Sequence, residues 1–180
     1  MRHQQSLAGR TLAVLILPTT SWPKLQLRVS EIAKPPYDLR RARGAKPLAV
    51  LFETPYCAAC DELHDEAFRR PEVRALLKRF DVARFALSDA SEVVAPGGSR
   101  LSAEAFAREL NVAYTPTIVF FNAGGKEVFR LEAYLRPFHT ASALEYVASG
   151  AYRREPSFQR FVQTRAERLW KRGVEVDLWK

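Results

Sequence analysis

Apolar residues along this chain fall into short runs separated by polar, proline- or glycine-bearing segments, and their period changes from run to run. Residues 48–52 (Leu-Ala-Val-Leu-Phe) show no polar alternation, the pattern of a strand covered on both faces. After the loop Glu53-Thr54-Pro55-Tyr56, the spacing of Cys60, Leu63 and Phe68, with Asp61 and Glu62 in the first turns, predicts a helix from Cys57 to about Phe68. Pro71 breaks or kinks it, and Val73, Leu76, Leu77 and Phe80 continue a helical face. Residues 82–87 predict the next strand. Residues 88–101, centred on Pro96-Gly97-Gly98-Ser99, have the composition of a loop. Ser102 is suited to cap a short helix bearing Phe106 and Leu110, and Asn111 to stop it. Thr117–Phe121 and Glu127–Leu131, joined through Ala123-Gly124-Gly125, predict a hairpin. Thr140 then caps a helix through Leu144 and Val147 that ends at Gly150. The order strand, helix, strand, helix, strand, strand, helix predicts an α/β fold: a central mixed sheet with helices on both faces.

The two ends extend this unit. Phe158, Phe161, Val162, Ala166, Leu169 and Trp170 recur at three- and four-residue steps, predicting an amphipathic helix with basic residues on its other side, stopped by Gly173 and followed by an extended tail over 174–179. A membrane-surface helix has the same pattern, but such a stripe is ordinarily packed on its own domain. At the other end, Arg2, His3 and Arg10 precede the apolar residues 11–17 in the order of a signal peptide. Pro18 ends that run and no small-x-small site follows, so extra strands at 11–17 and 25–29 are the alternative. The expected organisation is an N-terminal extension over 1–37, a domain over 38–150 and a C-terminal helix and tail over 151–180.

Length and composition narrow the classes. A chain of 180 residues supports one core with extensions, and 47% hydrophobic with 27% charged residues is ordinary globular composition, arguing against wholesale disorder and against a membrane protein. No apolar run approaches the roughly 20 residues needed to span a bilayer. The formal charge of +8 favours acidic partners, but the basic residues are spread out and the densest cluster, Arg40-Arg41-Ala42-Arg43, has no aromatic interleaving. A solvated basic face, not a nucleic-acid site, is expected.

The two cysteines, Cys57 and Cys60, exclude a multi-disulfide scaffold and leave no second pair for a zinc ribbon. A Cys-x-x-Cys pair between a buried strand and a helix start suits thiol–disulfide exchange, because the attacking thiol must be held as an anion. Free amide groups at the helix start favour that anion at Cys57, and Cys60, about one turn on, is within reach to resolve a mixed disulfide. Two alternatives compete. Cys57, Cys60 and His64 could hold a metal, but His3 and His139 have no spacing that offers a fourth ligand. Both cysteines could also be inert core residues. His64 itself reads as an ordinary helix-surface histidine. No metal or cofactor is expected beyond the redox-active Cys57–Cys60 pair.

Residues 48–60 with their CAAC motif, followed after two elements by Tyr114-Thr115-Pro116-Thr117 and an apolar strand, resemble the thioredoxin superfamily. The resemblance implies the thioredoxin fold, a cis-proline at Pro116 lying against the active-site disulfide, and a Thr115 backbone able to pair with a bound peptide. Tyr56, Thr115 and Pro116 are thereby the expected substrate-binding residues. A closer similarity, over roughly residues 39–179, is to thioredoxin-like proteins of bacterial periplasmic sulfur-oxidation systems, carried by ELHDEAF at 62–68, the insertion at 88–101, TPTIVFF at 115–121, YLRPFH at 134–139 and GAYRREPSFQRF at 150–161. It implies export to the periplasm, a membrane thiol donor that keeps the pair reduced, and protein or small-thiol disulfides as substrates. A cytoplasmic location is the alternative.

Two positions depart from the pattern. Leu51 stands where cytosolic-type thioredoxins carry a buried acid, so proton transfer to or from Cys60 needs another group, with Glu53 the candidate. Ala58-Ala59 puts no cation between the cysteines, which predicts a moderately reducing couple. The expected function is a thioredoxin-type dithiol–disulfide reductase, the alternative a redox-inactive binding or chaperone module on the same fold.

Overall fold

The computed structural model describes residues 36–177. The segments 11–17 and 25–29 and the end of the 174–179 tail therefore lie outside the described residues. A two-residue strand, β1 (Tyr37–Asp38), precedes β2 (Leu48–Glu53), every residue of which is buried. β2 pairs in parallel with β3 (Asp81–Ala86) and antiparallel with β6 (Thr117–Phe121), and β6 pairs antiparallel with β7 (Glu127–Leu131). The sheet order β3-β2-β6-β7 puts β2 inside, as its unbroken apolar run predicts.

Strand alternation divides the core in two. Ala49 and Leu51 point into a cluster with Leu63, Phe68, Val73 and Leu144, whereas Leu48, Val50 and Phe52 pack on the opposite face with Phe85, Val93 and Phe106. The first face is covered by the turn that follows α1 (Ala58–Glu62), through Leu63 and Ala67, and by α2 (Pro71–Leu77), α4 (Pro137–Ala148) and α5 (Phe158–Trp170). The second is covered by α3 (Ala103–Glu109) and a small separate sheet. Ser102 caps α3, its Oγ accepting the Ala105 N–H at 3.1 Å, and Asn111 with φ +53° ends it, both as predicted. Pro71 occupies the first turn of α2, where a missing N–H costs nothing.

Four expectations are corrected. Residues 88–101 are not all loop: β4 (Glu92–Val94) and β5 (Arg100–Ser102) form an antiparallel pair, and β4 also pairs in parallel with β1. Three-residue strands carry too little periodicity to read, and the β1 partner lies more than 50 residues away. Helix α4 begins at Pro137, not Thr140, whose hydroxyl instead donates to the Leu135 carbonyl at 2.7 Å. The helix after Cys57 changes pitch into a π-helical turn, Leu63–Ala67, in which the Phe68 N–H donates to the Leu63 carbonyl at 3.0 Å.

The fourth correction concerns α5. Its Phe158 and Phe161 pack against the first core cluster and Val162 is buried, but Trp170 is 77% exposed. Arg165, on the supposedly polar side, is 1% exposed instead. Its guanidinium lies over the Phe138 ring, 4.8 Å from the centroid, and bridges Glu145 at 2.7 Å and Glu72. Arg168 pairs with the same Glu145. Helix α5 is thus docked on α4 and α2 by an aromatic stripe and a buried cation. Among the described residues no helix is long and apolar enough to cross a membrane.

Candidate active site

β2 ends at Glu53, and the chain turns through Thr54, Pro55 and Tyr56 before α1 starts. Cys57 is the N-cap of α1, with φ −100° and ψ 98°. Its Sγ accepts the Cys60 N–H at 3.1 Å, and its carbonyl accepts the N–H groups of Cys60 and Asp61 at 2.9 and 3.0 Å. A sulfur does here what Ser or Asp does at an ordinary N-cap. Cys57 and Cys60 form a disulfide with Cα atoms 5.1 Å apart. Cys60 is 5% exposed and Cys57 half-buried, so the first sulfur is the accessible one, the asymmetry that a nucleophile and a resolving thiol need.

The loop before β6 closes over Cys57. The Thr115–Pro116 peptide is cis and Pro116 is buried. The Thr115 carbonyl oxygen and Oγ1 each lie 3.6 Å from Cys57 Sγ, and Thr115 Oγ1 is 3.0 Å from Thr54 Oγ1. Thr117, buried at the start of β6, donates its hydroxyl to the Tyr114 carbonyl at 2.8 Å, tying down this loop. Tyr56 (98% exposed) and Tyr114 (69% exposed) stand on the two segments that meet at Cys57. Tyr56 has φ +58°, a left-handed conformation that costs a non-glycine residue on the order of 1 kcal/mol.

Glu53 is buried and on the same face of β2 as Leu51, two residues nearer the motif. Its carboxylate accepts His64 Nε2 at 2.5 Å and pairs with the Arg84 Nε of β3. His64 is therefore not on the surface: it is 8% exposed, sits in the π-helical turn edge-on to Phe68 with centroids 5.1 Å apart, and its Nδ1 has no hydrogen-bond partner among the described residues. Its Nε2 is turned to Glu53, and no group of three His, Cys, Asp or Glu among the described residues could hold a metal ion.

The sequence-predicted residues Tyr56, Cys57, Cys60, Thr115 and Pro116 converge at one end of β2 and β6, where the chain matches the thioredoxin-like domain family over residues 37–148. The chain belongs to the thioredoxin-like family. A thioredoxin-fold protein from Helicobacter pylori superimposes with TM-score 0.68 at 18% identity, covering 81% of this chain and 96% of that one. A thioredoxin from Thermus thermophilus is 28% identical with TM-score 0.47, over 61% of this chain and 80% of that one. The C-terminal domain of Neisseria meningitidis DsbD in its reduced form is 15% identical with TM-score 0.44, over 57% and 82%. No curated protein matches by sequence. Within this thioredoxin-like domain, sequence reasoning gave no role to Thr54, Arg84 and Tyr114 and placed His64 on the surface, where it is in fact buried. Two Thr-Pro dipeptides, at 54–55 and 115–116, were a readable trace of the first. His64 lies four residues after Cys60, a weaker trace of a shared helical face.

Proposed function

We propose that this thioredoxin-like protein is a dithiol–disulfide reductase. The observation that carries the reading is the capping of α1 by Cys57 Sγ: the amide that donates to the sulfur would stabilise a thiolate there when the pair is reduced. The Cys57 thiolate attacks one sulfur of a partner disulfide, the other partner sulfur leaves as a thiolate and takes up a proton, and a mixed disulfide remains. Cys60, deprotonated, then attacks Cys57 Sγ, forming the Cys57–Cys60 disulfide and releasing the second partner thiol. Electrons return by the same exchange in reverse from an external dithiol donor.

In this reading Tyr56, Thr115 and Pro116 receive the partner segment, Thr115 offering its backbone as a short added strand. Glu53 is the proton-transfer group toward Cys60, its buried carboxylate taking over from the acid absent at Leu51. The sequence resemblance to periplasmic sulfur-oxidation thioredoxins supports an exported protein fed by a membrane thiol donor and acting on protein or small-thiol disulfides. The absence of a cation at Ala58 and Ala59 supports a reducing couple, nearer to about −270 mV than to about −120 mV. Cys57→Ser is expected to abolish reduction of a disulfide substrate, leaving less than about a thousandth of the native rate, since the one remaining thiol, Cys60, is buried away from a partner disulfide. Native-rate turnover by that variant would remove the proposal. A reduction potential measured against glutathione tests the direction of flow.

A further inference from the structure

β2 and β6 are antiparallel neighbours in which Phe52 faces Thr117. Just beyond the last pair of that ladder, the turn after β2 and the cis-proline loop before β6 bring Thr54 and Thr115 together, their hydroxyl oxygens 3.0 Å apart. Only one of the two touches the nucleophile: Thr115 Oγ1 is 3.6 Å from Cys57 Sγ. Among the described residues the Thr54 hydroxyl has no other hydrogen-bond partner competing for its proton.

Both residues are stiff. Each is β-branched, with few χ1 rotamers, and Thr54 precedes Pro55, which confines its backbone to the extended region. Thr115 is tethered through its neighbour's carbonyl by the Thr117 hydroxyl. The two hydroxyls are therefore presented to each other at small entropic cost, before any sulfur charge exists.

We propose that Thr54 is a positioning residue for the nucleophile, acting through Thr115: its hydroxyl donates to Thr115 Oγ1 and so frees the Thr115 proton to point at the Cys57 sulfur. The inference rests on the thiol-exchange reading of the site. In the disulfide state the sulfur is neutral and either hydroxyl can donate to the other. When Cys57 becomes a thiolate, its charge orients the Thr115 O–H toward sulfur, and Thr115 oxygen then accepts from Thr54. Aligned hydroxyls polarise one another, so the chain stabilises the anion more than Thr115 alone does. No bond to carbon or sulfur is made or broken. The pair responds to the charge on Cys57 and favours the reduced, ionised form.

The test uses the full chain with Thr54→Val, which keeps shape and β-branching but removes the hydroxyl, and Thr54→Ser, which restores it. Titration of thiolate absorbance in the reduced protein should put the Cys57 pKa of Thr54→Val higher by about half a unit, roughly a threefold smaller ionisation constant, with a correspondingly lower reduction potential. Thr54→Ser should titrate like the native protein. In a Thr115→Val background, Thr54→Val should add nothing, because it acts through the hydroxyl already removed. A Thr54→Val pKa equal to native, or a shift that persists in full beside Thr115→Val, would overturn the proposal. Thr54→Ala serves as the second hydroxyl-free variant should the valine not fold. Failure of the reductase reading appears separately, as a native protein unable to reduce disulfides while its Cys57 titration still depends on Thr54.

Discussion

Two buried ion clusters link elements of this molecule, and they are mirror images in charge. Beside the active site an anion, Glu53, sits between His64 and Arg84. Between α5, α4 and α2 a cation, Arg165, sits between Glu72 and Glu145, with Arg168 as a further partner of Glu145. Each centre is 1% exposed, and each joins elements distant in sequence. Their settings differ. The Glu53 cluster clamps the strand end four residues before Cys57 to the helical turn four residues after Cys60, so it brackets the redox motif from both sides. The Arg165 cluster fastens α5 to α4 and α2, with the Phe138 ring beneath the guanidinium, and neither redox cysteine is among its ion-pair partners in the described residues. Burying a charge is costly unless it is paired, so either centre stabilises only as part of its cluster. What the contrast teaches is that the same device serves docking in one place and lies against the chemistry in the other.

Breaking the clusters one at a time separates those roles. Arg165→Ala is expected to have the largest effect on stability, a loss of about 2–5 kcal/mol, because a large buried side chain is truncated, the contact over Phe138 is lost and Glu145 keeps only Arg168. Denaturant unfolding checks it, and the reduction potential of the folded variant should stay native. A shifted potential would mean that α5 reaches the active site energetically.

Glu53→Gln is the sharper probe. It preserves shape while removing the charge that His64 and Arg84 share, with an expected loss of about 1–3 kcal/mol. If Glu53 carries protons to and from Cys60, the pH profile of disulfide reduction changes as well. A variant destabilised by that amount but with a native pH profile would reduce Glu53 to a clamp, equivalent in role to Arg165.

The smallest effect concerns Glu145. Burial pushes its carboxyl up, but the hydrogen bonds and charges of Arg165 and Arg168 outweigh this and hold it below its ordinary value of 4.5. A depressed carboxyl stabilises the fold above its unfolded value, and the contribution is lost as pH falls through the folded value. The stability difference between native protein and Glu145→Gln should therefore shrink steadily below about pH 4.5. A difference independent of pH from neutral into that range would mean that the carboxylate charge is not what binds α5.

The readable parts of the chain were those in which one short stretch carries a complete instruction. The unbroken apolar run at 48–52, the Ser102 cap and the turn before Glu127–Leu131 each specify local structure without help, and the structure bears them out. The Cys-x-x-Cys spacing likewise brought both thiols to a helix start. Harder to read were β4 and β5, three residues each, which pair with one another and, through β4, with β1 more than 50 residues away. His64 was misread for the same kind of reason: a polar residue in a helical pattern defaults to the surface until a buried carboxylate from another element is seen to meet it.

By itself, then, the amino-acid sequence determined the order of the main-sheet strands and their helices, the central position of β2 and the identity of the two thiols, since period, caps and spacing act over a few residues. Only tertiary structure decided which side chains meet across those elements: Thr54 with Thr115, Glu53 with His64 and Arg84, Arg165 with its two acids. Such meetings depend on strand register and on the buried face each helix presents, and those are set by packing of the whole core, a property that no short window of residues contains.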